Sequence, residues 1–244
     1  MSSVSPATVS ELAPTGKLRI GLNYANFLLV LKDAPDRTPQ GIAPDIGREL
    51  ANRLGVKPEY VRFDGAGKLA DGVKSGMWDV AFLGNEPQRA NEIAFTPAYL
   101  EIPVTYLVPA GSPLKSFADV DKPGVRISVA DQSAYHLFLT RTLKAAELVA
   151  ADGIDGSYKM FVELKLEALA GLKPRLLADA QNLPGSRVLD GQLTAVQQSI
   201  GTPKSRETGA RYLKEFVEDL KASGFIGGAI SRHKVSGVSV APKA

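Results

Sequence analysis

Residues 78–99 of the chain read WDVAFLGNEPQRANEIAFTPAY. The mostly apolar run from Trp78 to Leu83 is short and predicts a buried strand. Gly84 and Asn85 follow it, where the start of a helix would expose backbone N–H groups that lack an intrahelical partner. Arg89, about one turn later, adds a planar guanidinium group that can hold a carboxylate with two hydrogen bonds. The segment therefore predicts an anion-binding loop after a buried strand, with a surface arginine on a short helix as the alternative.

Strands and helices alternate in the residues before this segment. Lys17 to Leu22 alternates polar and apolar residues, which predicts a first strand. A helix is predicted from Pro44 to Leu54, because proline suits a first turn and apolar residues four apart would form one stripe. A strand at 56–63 and a short helix at 68–74 complete a βαβαβ order, which requires a parallel sheet covered by helices.

A second α/β pattern follows a strand predicted at Val104–Val108. Its predicted strands lie at 125–129, 147–150, 187–189 and 193–200, and the remaining predicted helices lie at 133–144, 157–170, 174–182 and 205–222. Residues 1–15 and 235–244 show no strong periodic pattern, so both ends of the chain are expected to be flexible tails.

The composition excludes several classes of function. The chain has no cysteine, which excludes disulfides, cysteine-ligated zinc and thiol catalysis. Its 29 basic and 26 acidic residues are interspersed, so no nucleic-acid partner is expected. No apolar run approaches the ~18 residues that span a membrane, so no membrane insertion is expected. His136 and His233 are far apart in the sequence, and no metal or cofactor is expected.

Several short motifs follow one another in a specific order. They are Gly41-Ile42-Ala43-Pro44-Asp45 at a predicted helix start, Trp78-Asp79-Val80-Ala81, Arg89, Phe95-Thr96-Pro97-Ala98-Tyr99, Leu114-Lys115-Ser116-Phe117-Ala118-Asp119-Val120, and Gly124 to Val129. Their order and spacing resemble those of the family 3, amino-acid-type solute-binding proteins of bacterial ABC importers. The resemblance covers roughly Lys17 to Ile230, which is most of the chain.

The resemblance implies an α/β fold of the type II periplasmic-binding-protein class, in which two hinge-crossing strands join two lobes. Lobe 1 would comprise residues 16–106 and 195–234, and lobe 2 would comprise residues 107–194. A ligand would bind in the cleft between the lobes, and a hinge motion would close the cleft around it.

The resemblance also implies roles for individual residues. Arg89 matches the arginine that binds the ligand carboxylate, and Gly84 and Asn85 lie in the loop that offers further donors, although this loop is shorter here. Gln132 and Ser133 match the start of a helix in lobe 2, where Ser133 would be a helix cap or a carboxylate donor. The expected ligand-binding residues are Asn23, Tyr24, Asn26, Phe27, Gly84, Asn85, Arg89, Glu101, Gln132, Ser133 and Tyr135, and no residue is expected to be catalytic.

Some positions depart from the family pattern. Asn23 stands where the family often has an acid, and Asn26 stands where an aromatic platform usually lies, with Tyr24 and Phe27 nearby. The lobe 2 aspartate that pairs with the ligand α-ammonium is replaced by Leu172-Lys173-Pro174-Arg175. A buried ammonium without a carboxylate partner costs on the order of several kcal/mol.

These departures predict a ligand that has a carboxylate but no α-ammonium, or one whose cation is held in another way. Glu101 is the candidate for such a substitute, and a surface acid is the alternative interpretation of this residue. The ligand itself is not predicted by the sequence.

Three functions remain open at this point. The first is a monomeric receptor that binds a small carboxylate ligand and docks on an ABC permease in the periplasm. The second is a dehydratase-like lyase on the same scaffold, for which Glu101 and His136 are the only acid–base candidates. The third is a cytosolic binding or sensing protein, which is favoured if Met1 is the native start, because the first residues lack the basic start and apolar stretch of a secretory signal.

Overall fold

The computed structural model describes residues 4–31 and 33–244 of the chain. The chain divides into two compact units. Unit 1 comprises Met1–Glu101 and Gln197–Ala244, and unit 2 comprises Ile102–Val196. Each unit is an α/β structure with its own strands and helices, as the alternation of elements in the sequence predicts.

Two long strands carry the chain from one unit to the other. These strands are Leu100–Val108 and Thr194–Pro203, and each contains one boundary between the units. The sequence analysis places the boundaries between the lobes after Tyr106 and before Ala195. In the structure, the boundaries between the two units lie after Glu101 and after Val196. Both boundaries nevertheless fall within the two strands that cross between the units.

Strands and helices alternate along most of the chain. In chain order, the strands are β1 (Lys17–Asn23), β2 (Lys57–Phe63), β3 (Val80–Gly84), β4 (Ile93–Phe95), β5 (Leu100–Val108), β6 (Arg126–Ala130), β7 (Glu147–Ala151), β8 (Ala168–Leu172), β9 (Arg187–Val188), β10 (Thr194–Pro203) and β11 (Ser239–Val240). The helices are α1 (Pro6–Leu12), α2 (Ile42–Leu54), α3 (Ala66–Asp71), α4 (Phe117–Val120), α5 (Ala134–Thr142), α6 (Gly153–Glu163), α7 (Lys173–Gln181), α8 (Glu207–Ala222) and α9 (Phe225–Arg232), and a 3-10 turn at Arg89–Asn91 follows β3. Among the described residues, no helix has the length and apolar character needed to cross a membrane.

Three parallel strands form the centre of unit 1. β1 pairs in parallel with β2, from Lys17 opposite Lys57 to Asn23 opposite Phe63, and it also pairs in parallel with β3. The unit 1 part of β10 runs antiparallel to both β3 and β4. Because the central strands are parallel, β1, β2 and β3 all end at the same edge of the sheet, which is where α/β proteins usually bind ligands.

Helix α2 packs on this sheet through the apolar stripe that the sequence predicts. Ile46 and Leu50 are fully buried, and Leu54 is almost fully buried. Gly47 allows the helix to approach closely, because a β-carbon at this position would lie 3.0 Å from the Cδ1 atom of Ile20. Gly55 ends the helix in the left-handed conformation, as predicted.

Three parallel strands also form the centre of unit 2. β6 lies between β7 and β8 and is parallel to both, with Arg126 opposite Glu147 and Ile127 opposite Ala168. The unit 2 part of β5 runs antiparallel to β8 and to β9. Part of the core beneath α6 and α7 is formed by Leu107, Phe161, Leu166, Leu169 and Leu176. The carboxyl ends of β6, β7 and β8 therefore meet at one edge of the unit 2 sheet.

The segment predicted as one helix at 157–170 is instead a helix followed by a strand. Helix α6 ends at Glu163, and residues 168–172 form the buried strand β8. Alanine and leucine favour helices by local propensity. A strand that is covered on both faces also appears as an uninterrupted apolar run, so the pairing of β8 with β5 and β6 overrides the local preference.

The N-terminal residues expected to be a tail contain helix α1. Ser5 caps the helix by accepting a hydrogen bond from the Thr8 N–H at 3.1 Å. Leu12 is fully buried, and the carboxylate of Glu11 accepts a hydrogen bond from the N–H of Gly209 on α8 at 2.8 Å. Burial of one apolar residue and one specific hydrogen bond, rather than a periodic pattern, attach this segment to unit 1.

The C-terminal residues expected to be a tail also make defined contacts. β11 pairs antiparallel with the start of β5, with Ser239 opposite Glu101. The N–H of Ala241 donates to the carbonyl oxygen of Tyr99, and Lys221 donates to the carbonyl oxygen of Pro242 at 2.7 Å. A strand of two residues carries too little periodicity to be predicted from sequence.

The close approach of α1 and α8 leads to a stability prediction for Gly209. A β-carbon at this position would lie 2.7 Å from the Cδ2 atom of the buried Leu12. We therefore expect Gly209→Ala to lower the free energy of unfolding by about 1–3 kcal/mol, as measured by urea denaturation. Gly228→Ala on α9 is the control, because its β-carbon would meet no atom within 4 Å and alanine is the better helix former. Equal stabilities for the two variants would contradict the prediction.

Candidate functional site

Arg89 lies just beyond the carboxyl end of β3 in unit 1. Its side chain is buried, with 7% of the residue exposed, and its Nη1 donates to the carbonyl oxygen of Gly84 at 2.8 Å. Burial lowers the pKa of Arg89 to about 10, although the nearby carboxylates of Glu86 and Asp71 favour the charged form. The guanidinium is therefore charged at neutral pH, and the Gly84 carbonyl holds it in one orientation.

Gly84 and Asn85 use their backbone groups within the protein. The carbonyl oxygen of Gly84 accepts from Arg89, and the N–H of Asn85 donates to the carbonyl oxygen of Gln197 at 2.8 Å. The sequence analysis expected this loop to offer backbone donors to a ligand. In the structure, the main chain of these two residues orients Arg89 and connects β3 to β10.

The end of β1 and the loop that follows it contain four of the expected ligand-binding residues. Asn23 ends the strand, and its Oδ1 accepts from the Ala25 N–H at 3.1 Å. Asn26 is almost fully buried, and its Oδ1 accepts from the Leu28 N–H at 3.2 Å. Both asparagines therefore stabilise turns of the loop, as asparagine side chains often do. Phe27 is exposed over 39% of its surface, which leaves its ring accessible at this edge of the sheet.

A charged cluster that the sequence analysis missed surrounds Tyr24. The guanidinium carbon of Arg62 lies 4.2 Å from the centre of the Tyr24 ring, which is a cation–π distance. Arg62 Nη2 also donates to the Tyr24 hydroxyl at 3.0 Å, and that hydroxyl donates to Asp33 Oδ1 at 3.1 Å. Arg62 and Asp33 form an ion pair. One face of the Tyr24 ring is thus covered by a guanidinium group, so a ligand would meet a polar cluster here.

Glu101 connects the first residues of β5 to β10 within unit 1. Its Oε1 accepts a hydrogen bond from Gln197 Nε2 at 3.0 Å, and the contact is partly buried. Glu101 is therefore not simply a surface acid without a partner. The contact joins side chains on the two strands that cross between the units.

In unit 2, the expected residues lie at the start of α5, after β6. Ser133 is the N-cap, as the sequence predicts, because its Oγ accepts from the His136 N–H at 3.1 Å. Gln132 has a φ of 50° and donates its N–H to Nδ1 of His136 at 2.9 Å. Tyr135 is almost fully buried, and burial raises the pKa of its hydroxyl to about 12. The tyrosine hydroxyl therefore stays protonated at neutral pH.

His136 has two neighbours that require opposite protonation of the same atom. Its Nδ1 accepts from the Gln132 N–H, and it also lies 3.2 Å from Oδ1 of Asp131. An Nδ1 that accepts a hydrogen bond carries no proton and cannot donate to a carboxylate. The Gln132 contact thus describes the neutral ring with its proton on Nε2, whereas an ion pair with Asp131 requires a protonated Nδ1.

Residues 172–175, where the resemblance implies an acid that pairs with a ligand ammonium, contain no acid. Leu172 ends β8, precedes α7 and is almost fully buried. The next residue, Lys173, donates to the carbonyl oxygen of Gly191 at 3.1 Å. Arg175 binds Asp179 at 2.8 Å and Asp155 at 2.7 Å. Burial raises the pKa of Asp179 above its usual value. These two carboxylates therefore already have a cationic partner.

A metal site is not formed by the described residues. No group of three or more histidine, cysteine, aspartate or glutamate side chains is arranged to hold an ion in the part of the chain that the structure describes. The expected site residues provide hydrogen-bonding groups, a buried guanidinium and aromatic rings. Such groups suit the binding of a polar small molecule.

Comparisons with known proteins identify the fold. The L-cysteine solute receptor of Neisseria gonorrhoeae is 21% identical, with a TM-score of 0.78 over 94% of this chain and 95% of that chain. The amino acid ABC transporter substrate-binding protein AbpA of Streptococcus pneumoniae, bound to L-arginine, is 17% identical, with a TM-score of 0.75 over 93% of this chain and 98% of that chain. An ancestral amino acid-binding protein, a precursor of cyclohexadienyl dehydratase, is 20% identical, with a TM-score of 0.73 over 92% of this chain and 98% of that chain.

At these identities the structural likeness shows the fold alone. It confirms the α/β fold of the type II periplasmic-binding-protein class that the sequence analysis predicts. The sequence model of one family matches residues 18–233, which is most of the 244-residue chain. The chain therefore belongs to the bacterial extracellular solute-binding proteins, family 3.

Proposed function

We propose that this chain is the receptor of an ABC importer and binds a small solute that carries a carboxylate group. The observation that carries the proposal is the charged guanidinium of Arg89, which is buried beyond the end of β3 and oriented by the Gly84 carbonyl. A planar guanidinium matches a carboxylate with two parallel hydrogen bonds, and the pairing is stronger away from water. The relatives that bind L-cysteine and L-arginine both accept a ligand with an α-carboxylate.

The partners and location follow from the same assignment. The partners would be the carboxylate solute and an ABC permease, and the receptor would act as a monomer. Membership of an extracellular family supports a periplasmic location. A cytosolic sensor would use the same binding chemistry but would have no permease to dock on, so an encoded permease beside this gene would favour the receptor.

The ligand is further proposed to lack an α-ammonium group. Leu172-Lys173-Pro174-Arg175 stands where the resemblance implies the aspartate that pairs with this ammonium, and this stretch contains no acid. An ammonium buried without a carboxylate would lose its hydration without compensation. Glu101 is the residue that would hold such a cation in another way, although its Oε1 already accepts from Gln197.

The dehydratase alternative has less support than the receptor. Glu101 belongs to unit 1 and His136 to unit 2, and each has a hydrogen-bond partner within its own unit. General acid–base catalysis needs a group of suitable pKa within reach of the substrate. Neither residue has a feature that favours catalysis over binding.

The proposal predicts how the protein responds to matched ligands. A thermal-shift screen would compare amino acids with the corresponding 2-hydroxy acids and amino acid amides over a range of side chains. A bound ligand at ~100 times its dissociation constant adds about 2.7 kcal/mol and raises the midpoint by several degrees. We expect such a shift with a 2-hydroxy acid, a smaller shift with the corresponding amino acid, and none with the amide.

Each alternative outcome has a distinct meaning. A larger shift with the amino acid than with the hydroxy acid would show that an ammonium is accepted, and would contradict the ligand class while leaving the receptor intact. A shift with the amide alone would contradict the proposal that the ligand binds through a carboxylate. The remaining case is a ligand whose ammonium group is held by Glu101. A Glu101→Gln variant tests this case, because it should lower only the response to ligands that carry an ammonium.

A further inference from the structure

Unit 1 contains a cavity of about 700 Å³ that none of the expected ligand-binding residues line. Its walls come from the loop at residues 34–40, from one side of α2 and from both ends of α9. Sites for small molecules commonly have volumes of about 300–1,000 Å³. The cavity is therefore large enough for a ligand, and it is distinct from the Arg89 region.

A buried carboxylate at the start of α2 organises one wall of this cavity. Asp45 Oδ1 accepts from Arg48 Nη1 at 2.9 Å. Its Oδ2 accepts from Arg232 Nη2 and lies next to His233 Nε2, both at 2.8 Å. Burial alone would raise the pKa of this carboxyl, but the hydrogen bonds from its three basic partners lower it below its usual value. Asp45 is therefore ionised and fixes the positions of two guanidinium groups.

The two arginines retain hydrogen-bonding capacity. The Arg48 and Arg232 side chains are 41% and 57% exposed, and both residues line the cavity. A guanidinium has five N–H donors. Within the described part of the chain, Arg48 bonds Asp45 and the carbonyl oxygen of Pro39 and also interacts with the Tyr60 side chain, whereas Arg232 bonds Asp45 through Nε and Nη2. Among the described residues, Nη1 of Arg232 has no acceptor, so it can serve an acceptor in the cavity.

The other acids of the cavity wall, Glu49 and Asp36, each have a partner outside the two arginines. Glu49 pairs with Arg53 at 2.6 Å, and Arg53 also pairs with Asp219 at 2.7 Å, so the charge of Glu49 is neutralised only in part. Asp36 is exposed and accepts the Thr38 N–H at 2.9 Å, and solvent screens charges of this kind. Two arginines and a histidine thus share one buried carboxylate.

We propose that this cavity is a second ligand site that binds a small oxyanion through Arg48 and Arg232. The oxyanion would be a carboxylate or a phosphate, because both match the fork of a guanidinium. Asp45 would act as the positioning residue that holds the two forks. The site is independent of Arg89, so it can exist whether or not the first proposal holds.

Inorganic phosphate and malonate are the probes for this site. Each is titrated against the purified chain at constant ionic strength, with chloride as the reference anion, and the unfolding midpoint is recorded. We expect a saturable rise of the unfolding midpoint with at least one of the two anions. The anion that gives the rise shows whether the site binds a phosphate or a carboxylate. Arg232→Gln should raise the apparent dissociation constant at least tenfold, while Asp45 keeps Arg48 and His233 as partners. Arg48→Gln is the second variant if the first one does not fold.

Two controls make the outcome decisive. Arg211→Gln removes an exposed arginine on α8, outside the cavity, and should leave the anion response unchanged. In Arg89→Lys, any part of the malonate response that is lost belongs to the carboxylate site of the proposed receptor, and the part that remains and is removed by Arg232→Gln belongs to the cavity. The proposal is overturned if neither anion gives a saturable rise beyond chloride, or if the arginine variants of the cavity retain the full response.

Discussion

Replacing Arg89 with alanine is expected to reduce the affinity for a carboxylate ligand by at least about 30-fold. Truncating one member of a buried, hydrogen-bonded charge pair costs about 2–5 kcal/mol, and every 1.4 kcal/mol is a factor of ten. Arg89 meets these conditions because its guanidinium is buried and already oriented by the Gly84 carbonyl. Isothermal titration calorimetry with the ligand found in the thermal-shift screen measures the change.

The alanine variant also removes the hydrogen-bond donor to the buried carbonyl oxygen of Gly84, so a more conservative substitution is needed. Arg89→Lys keeps the positive charge but loses the planar fork, and we expect it to weaken binding by about 10- to 100-fold. Arg211→Lys is the matched control, since Arg211 is exposed on α8. If circular dichroism shows a folded Arg89→Lys protein whose dissociation constant equals that of the wild type, Arg89 does not bind the carboxylate.

The order of the elements from β1 to β3 in unit 1 can be predicted from the sequence because local patterns decide it. The stripe of α2 and the helix stop at Gly55 are both correct. Helix α9 was not predicted, because Gly227 and Gly228 lower its helix propensity and its apolar face forms only against its neighbours. In unit 2, the sequence predicts a helix where β8 begins, because the strand character of these residues comes from their pairing with β5 and β6.

The candidate site is less predictable, because it depends on contacts between residues that are distant in the chain. The position of Arg89 follows from its spacing to the buried strand, but its bond to Gly84 does not. The Arg62 contact with Tyr24 requires the parallel register of β1 and β2, which places Leu22 opposite Arg62. A search for charged residues opposite the end of β1 could have found it once that register was assumed.

The largest effect on stability is expected at Asp79, next to Trp78 at the start of β3. Its carboxylate is fully buried and accepts four hydrogen bonds from two arginines. Arg19 provides its N–H at 2.9 Å, Nε at 3.0 Å and Nη2 at 2.8 Å, and Arg206 provides Nη1 at 2.8 Å. The hydrogen bonds that Arg19 donates to the Asp79 carboxylate raise the pKa of Arg19, because they favour its charged form. The acid thus ties β1 to the residues that lead into α8.

Asp79→Asn should therefore lower the free energy of unfolding by about 3–5 kcal/mol, because it leaves two partly buried guanidinium groups without a counter-charge. Urea denaturation measures the loss, and an unchanged m-value would show that the denatured state is the same. Glu59→Gln is the control, because the Lys17–Glu59 pair also involves β1 but is about half exposed. That variant should lose less than about 1 kcal/mol. A similar loss in both variants would mean that burial does not amplify the Asp79 interactions, and the two arginines would then be held mainly by their packing.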